Sequence, residues 1–237
     1  MSKRTQSVTR AFRFSYPPSV ELAHLPTPLL PLERESERLE RQLLCKRDDL
    51  TGAALSGNKV RKLEFLLAEA LDQGATGVIT CGGVQSNHVR ATAVAAARLG
   101  LACHGLLRVE DLEAPLPLEG NVLLDRLAGA TVEPISAAQY EEREALMTAR
   151  AESLAAEHEG THWMPIPEGG SNALGAWGYV RCVEELAAQL GPVPATIVYA
   201  VGSGGTSAGL IAGCRLFDLP YRLIGVSSGE RREVFQK

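Results

Sequence analysis

The stretch SGNKVRKLEFLL, residues 56–67, places Lys59, Arg61 and Lys62 at the mouth of a segment with helical spacing. Cations are out of place there, because the free N–H groups of a helix start already carry partial positive charge. That conflict has a chemical use. Neighbouring cations and a helix N-terminus both act against protonation of an amine, so Arg61, Lys62 and the helix mark Lys59 as a candidate nucleophile. The alternative is a charged helix start that is merely solvated.

Further chemistry sits in glycine-rich loops. VGSGGTSAG, residues 201–209, follows the apolar run TIVYA and opens a helix. Its glycines let backbone approach a ligand, the helix start offers N–H groups to an anion, and Ser203 or Thr206 can add a hydroxyl, so a bound phosphate is the natural inference. It is not a P-loop, since no Gly-Lys-Ser/Thr follows. CGGVQSNHVR, residues 81–90, has the same strand–loop–helix logic and carries Gln85, Ser86, Asn87 and His88. These suit a carboxylate or oxyanion, although Ser86 and Asn87 serve equally well as helix caps. EGGSNALGAWGY, residues 168–179, is a third such loop, with Ser171 or Asn172 as cap; it either lines the same cleft or is a tight connection. A lysine that forms Schiff bases and a phosphate cradle are together what pyridoxal phosphate requires. HEGTH, residues 158–162, matches the zinc pattern HExxH in letters only. Gly160 ends the preceding helix, so the two histidines cannot share a helix face.

The elements that must position these residues alternate. Strands are expected at 43–49, 76–81, 101–107, 130–135, 161–167, 196–202 and 221–227. Helices are expected over 60–74, 87–100, 120–129, 137–158, 172–190 and 206–217. Repeated strand–helix–strand units imply parallel sheets covered by helices, with ligands at the carboxyl ends of the strands. The composition fits: 237 residues, 45% hydrophobic and 22% charged, with no apolar run long enough to cross a bilayer. A net charge of -4 supplies no field for nucleic acid, so neither nucleic acid nor membrane is an expected partner. Five scattered cysteines, none in a CxxC pair, suit a reducing cytoplasm. The N-terminal MSKRTQSVTRAFRF lacks the apolar core of a signal peptide and reads as a tail.

Four segments in order, DDLTGAALSGNKVRKLEFLLAEAL, GGVQSNHVRATAVAAARLGL, IPEGGSNALGAWGYV and VGSGGTSAGL, closely resemble the pyridoxal-phosphate-dependent D-cysteine desulfhydrase and 1-aminocyclopropane-1-carboxylate deaminase family. The resemblance runs from about residue 10 to 227. It implies a tryptophan-synthase-β-like (fold type II) α/β architecture of two parallel-sheet, three-layer domains. The large domain would take residues 1–60 and 166–237, and the small domain 61–165.

The resemblance also implies roles. Lys59 would hold pyridoxal 5'-phosphate as a Schiff base, and Asn87 would lie near the pyridoxal ring oxygen. Gly202, Ser203, Gly204, Gly205 and Thr206 would form the phosphate loop. Ser86 would sit beside the substrate as nucleophile or proton-transfer group, Asn87 and His88 would help hold its carboxylate, and Lys62 would partner phosphate or carboxylate. The implied reaction is α,β-elimination of D-cysteine to hydrogen sulfide, ammonia and pyruvate by a cytoplasmic homodimer. QSNH, in place of the QSNQ usual in the cyclopropane deaminases, favours the desulfhydrase; the deaminase and L-cysteate sulfo-lyase are the near alternatives. A cysteine-synthase-like β-replacement enzyme and an inactive cofactor-binding remnant stand further off. Family chains continue well past YRLIGVS, so the resemblance implies that the C-terminal part of the large domain is missing, with the partner of the pyridine nitrogen. An open sheet edge and bare apolar faces are the expected consequence.

Overall fold

A computed structural model of the chain describes residues 14–228. The segment read from sequence as a tail lies almost wholly outside the described residues, as do 229–237.

The expected alternation builds a four-stranded parallel sheet from β3 (Gly77–Gly83), β4 (Ala102–Arg108), β5 (Thr131–Ile135) and β6 (Trp163–Pro165), in the order β5-β4-β3-β6. Side chains alternate across β3 and so feed two cores. Val78 joins Leu63, Leu66 and Leu67 of α2 (Lys59–Asp72) and Ala91, Ala95 and Ala96 of α3 (Asn87–Arg98) on one face. Ile79 and Cys81 meet Tyr140 of α5 (Ala137–Glu141) and Met147 and Ala151 of α6 (Arg143–Glu157) on the other. Burial on both faces explains the near-continuous apolar run of β3. Between β4 and β5 lies α4 (Gly120–Leu127).

A second unit pairs β7 (Ala195–Val201) with β8 (Tyr221–Ser227) in parallel and packs them on α7 (Ala173–Leu190) and α8 (Gly205–Leu216) around Tyr179, Val183, Leu186 and Leu210. The units meet where α2 crosses α7. A Cβ at Gly178 would press on the backbone carbonyl of Arg61 and come within 2.8 Å of the Lys62 backbone nitrogen. Only glycine permits that approach.

Three local features differ from the sequence expectations. The strand read at 43–49 is only β2 (Leu44–Lys46), which pairs antiparallel with β1 (Leu29–Pro31) across α1 (Glu33–Leu39). Asp48–Leu50 instead wind into a 3-10 turn that points Asp48 at Arg61. The helix expected over 137–158 breaks at Glu142 (φ -102°, ψ 26°), and Arg143 then pairs with Glu168 at 2.8 Å.

Candidate active site

Lys59 is the first residue of α2, so its side chain leaves the helix mouth toward the second unit. Its Nζ donates to Asn58 Oδ1 at 3.1 Å, and Asn58 Nδ2 reaches Thr206 Oγ1 at 3.4 Å. Lys59 and Lys62 open onto one small cavity whose opposite wall is the 200–204 loop, with Thr206 and Ser207 behind it. The candidate nucleophile and the candidate phosphate loop therefore share a space, although 143 residues or more separate them in sequence.

The electrostatic account of the cation cluster needs correction. Arg61 does not tune Lys59. Its guanidinium turns away into a buried clamp, donating to Asp48 at 2.8 and 2.9 Å, to Glu185 at 2.8 and 3.0 Å and to Thr27 Oγ1 at 2.9 Å. Tyr179 Oη and Lys46 Nζ complete that clamp on Asp48 and Glu185, each at 2.7 Å. Burial is what holds the Lys59 amine below its usual range, against an opposing pull from the Glu168 carboxylate. Lys62 is only 1% exposed. Burial first, and then the charge of Lys59, bring its amine down to about 7.

Lys62 Nζ donates to Gly169 O at 3.1 Å and Ser171 Oγ at 3.2 Å, and an ammonium has three protons to give. The third stays available at the start of α8, because a Cβ on Gly205 would lie only 2.8 Å from Lys62 Nζ. The α8 start is built for an anion. Gly204 sits in the left-handed region (φ 86°) with no side chain capping the helix, and a Cβ there would meet nothing within 4 Å. Bare backbone N–H groups thus face open space beside two hydroxyls, Ser203 and Thr206, and a lysine. Ser203 Oγ lies 2.6 Å from Ser171 Oγ, which ties the phosphate loop to the 168–172 loop. The third glycine-rich loop therefore lines this site. These residues fit a phosphate monoester with an aldehyde within reach of Lys59.

At the start of α3, Ser86 is the N-cap, its Oγ accepting from Val89 N at 3.2 Å, while its own proton remains free to donate. Asn87 is exposed at the same helix mouth. Arg90 draws this mouth against the Lys59 loop: it binds Ala54 O, reaches Ser56 O at 3.3 Å and Asn87 Oδ1 at 3.4 Å. His88 is different. The residue is 3% exposed, with Nε2 at 2.9 Å from Thr80 Oγ1, which in turn donates to Ile166 O at 2.9 Å. Thr80 Oγ1 thus stands between the His88 ring and the Ile166 carbonyl and holds the ring in place. Burial, followed by the fields of Lys59 and Lys62, pushes its pKa to about 3. The ring is neutral and sunk beneath the helix mouth. What position 88 can offer a carboxylate is its first-turn backbone N–H.

Sequence reasoning assigned no role to Asn58, Glu168 or Tyr140. Glu168 follows the end of β6, where strand-end logic places functional groups. It pairs with Arg143 at 2.8 Å, and its charge adds to burial in pushing Tyr140 far above its usual range. Among the described residues no cluster of metal ligands occurs.

Comparison with known proteins identifies the family. The family model described as "Pyridoxal-phosphate dependent enzyme" matches residues 20–236. A mitochondrial bifunctional D-cysteine desulfhydrase/1-aminocyclopropane-1-carboxylate deaminase of Arabidopsis thaliana is 50% identical over 223 residues, covering 90% of this chain and 55% of that protein. A D-cysteine desulfhydrase of Serratia proteamaculans is 43% identical over 216 residues, covering 89% of this chain and 64% of that one. The crystal structure of an ACC deaminase homologue superposes with a TM-score of 0.83 at 39% identity, covering 93% of this chain and 66% of the other. The chain thus spans between 55% and 64% of the length of these two curated relatives.

Proposed function

The chain belongs to the pyridoxal-phosphate dependent enzyme family, and from that premise we propose that it is a D-cysteine desulfhydrase, a lyase that eliminates hydrogen sulfide from D-cysteine. The observation that carries this reading is the shared cavity of Lys59, Lys62 and the 200–204 loop. In it, Lys59 Nζ is the attachment point for the cofactor aldehyde, while Ser203, Thr206, the α8 N–H groups and Lys62 hold the phosphate. The bound cofactor supplies an electron sink for the pair left at Cα. Ser86 and the first-turn N–H groups of α3 would orient the amino-acid carboxylate, and Asn87 would hold the ring oxygen of the cofactor. Lys59, once the substrate amine has taken its place on the aldehyde, would be free and kept neutral by burial, and would take the Cα proton. Loss of that proton and of the β thiolate forms the Cα–Cβ double bond; water then releases ammonia and leaves pyruvate.

Cyclopropane amino-acid deamination is the second reading, favoured by the double name of the Arabidopsis relative. A homodimer acting in a reducing cytoplasm is part of the proposal; four of the five free thiols are buried. Loading with pyridoxal phosphate, borohydride reduction and peptide mapping is expected to label Lys59, and label elsewhere overturns the assignment. Sulfide and pyruvate release from D-cysteine, beside L-cysteate and the cyclopropane amino acid, then separates the substrates.

A further inference from the structure

Asn87 stands exposed at the α3 mouth, and a carboxamide can present there either an acceptor oxygen or two donor hydrogens. Which one is left free of its neighbours decides what it can bind. A chain of hydrogen bonds anchored on backbone groups settles the choice. The backbone N–H of Asn121, near the start of α4, donates to Gln85 Oε1 at 2.7 Å, which turns Gln85 Nε2 to Glu119 O at 3.3 Å. Asn121 Nδ2 donates to the backbone oxygen of Gln85 at 2.8 Å, and that oxygen only accepts. The Asn121 amide cannot flip without setting two oxygens against each other. Its second Nδ2 hydrogen then goes to Asn87 at 3.1 Å, so the Asn87 atom there must be Oδ1. Arg90 Nη2, which can only donate, approaches the same atom at 3.4 Å. Gly120 leaves room for the arrangement: its φ is +54°, and a Cβ would collide with the Gln85 amide.

We propose that Asn121, seconded by Arg90, is a positioning residue that fixes the Asn87 amide with its Nδ2 hydrogens toward the cleft, as donors to an anionic oxygen of the cofactor ring or substrate. The Gly120-Asn121 pair is thus an extension of the site, carried on a helix that the alternation pattern treats as scaffold. This rests on the reading of Asn87 as a cofactor or substrate contact, so the test separates the two.

Asn121→Asp is the decisive variant. Its carboxylate accepts only, so it repels Gln85 O and Asn87 Oδ1, and Asn87 turns over to donate. In 15N-labelled protein without cofactor, the Asn87 side-chain amide protons, assigned by their loss in Asn87→Ala, are expected to exchange freely with water. In Asn121→Asp they exchange several-fold more slowly. Wild-type protons already protected, or unchanged in the variant, overturn the proposed orientation whatever the cofactor does. In protein loaded with pyridoxal phosphate, Asn121→Asp is expected to weaken cofactor retention, followed by absorbance, on the order of tenfold to a hundredfold, the range for a hydrogen bond to a charged group. It also moves the pH at which the cofactor band changes, and both effects vanish in an Asn87→Ala background. An effect of equal size in that background shows that Asn121 acts by some other route and overturns the proposal. Melting midpoints of the cofactor-free variants within a few degrees of wild type exclude loss of folding; if Asn121→Asp melts earlier, Asn121→Ala, which removes the donor without adding charge, carries the same absorbance comparison. If Asn87→Ala leaves retention and the band unchanged while the exchange result holds, the reading of Asn87 fails and the orientation stands.

Discussion

The three cations of residues 59–62 separate by where α2 sends them. Lys59 and Lys62 lie one turn apart on the face that meets the glycine loop, and Arg61 lies on the face that meets Asp48 and Glu185. Arg61→Ala is therefore expected to be a stability variant. It strips a buried cation from two carboxylates, a change of about 3 to 5 kcal/mol, lowering Tm on the order of 10 °C. The pH dependence of Lys59 modification in the folded variant should stay unchanged, and a shifted profile would return Arg61 to the role of tuner. Lys62 behaves in the opposite way. Its folded pKa, about 7, lies below the free value of 10.5, so above pH 7 the unfolded chain binds more protons than the folded one and stability rises with pH. Lys59, lowered in the same direction, adds to the trend. The slope is about 1 kcal/mol per pH unit, visible between pH 7 and about 8.5, before cysteine thiols with raised pKa values begin to act the other way. Lys62→Met should flatten most of that rise in thermal melts of cofactor-free protein, while weakening retention of pyridoxal phosphate about tenfold or more. Melts that rise equally in the variant would dissociate Lys62 from the effect.

Elements set these faces, and the α2–α7 crossing is the most exacting of them. Gly178→Ala forces a methyl group onto the backbone carbonyl of Arg61. Backbone there cannot yield as a flexible side chain does, so a cost of about 1 to 3 kcal/mol is expected from overpacking. The displacement falls on the first turn of α2, so cofactor retention should drop further than the melt alone accounts for. Unaltered retention in a destabilised protein would mean that α2 moves as a rigid whole. Such crossings are invisible to periodicity. The alternation of apolar runs located β3 to β8 and α2 to α8 because each is long enough, or bounded sharply enough by glycine, to carry its own pattern. The split at Glu142 was hidden because both halves keep helical spacing. β1 and its antiparallel pairing with β2 were hidden, because a three-residue strand with no glycine to bound it carries almost no period, whereas β2 lies inside the strand read at 43–49. At the site, Lys59 and the 202–206 loop were legible, since glycines and a misplaced lysine break local rules. The fate of Arg61, the burial of the His88 ring against Thr80 and the hold of Asn121 on Asn87 depend on neighbours brought in from other elements, and no local rule reports them.

At the scale of the molecule the two units differ in how they close their sheets. The four-stranded sheet is covered on both faces, with Val78 and Ile79 fully buried on opposite sides. The β7–β8 pair is covered on one face only. Tyr221, Ile197 and Leu223 pack toward α7 and α8, whereas Val198 is 63% exposed and Val226 55% exposed. Among the described residues neither strand has a second neighbour, so a bare apolar face adjoins open backbone edges. That combination favours association, because it offers apolar area and unpaired backbone groups together. Concentration-dependent self-association in sedimentation, with binding of an apolar dye, is expected for this chain. Val198→Lys with Val226→Glu should suppress both while leaving the far-side core of Tyr179, Val183 and Leu210 intact. Neither Val198 nor Val226 lines the Lys59 cavity, so reductive labelling of Lys59 should persist in the double variant. A chain that stays monomeric at every concentration would show that the exposed face is tolerated as it stands. Association that survives both charges would place the contact elsewhere.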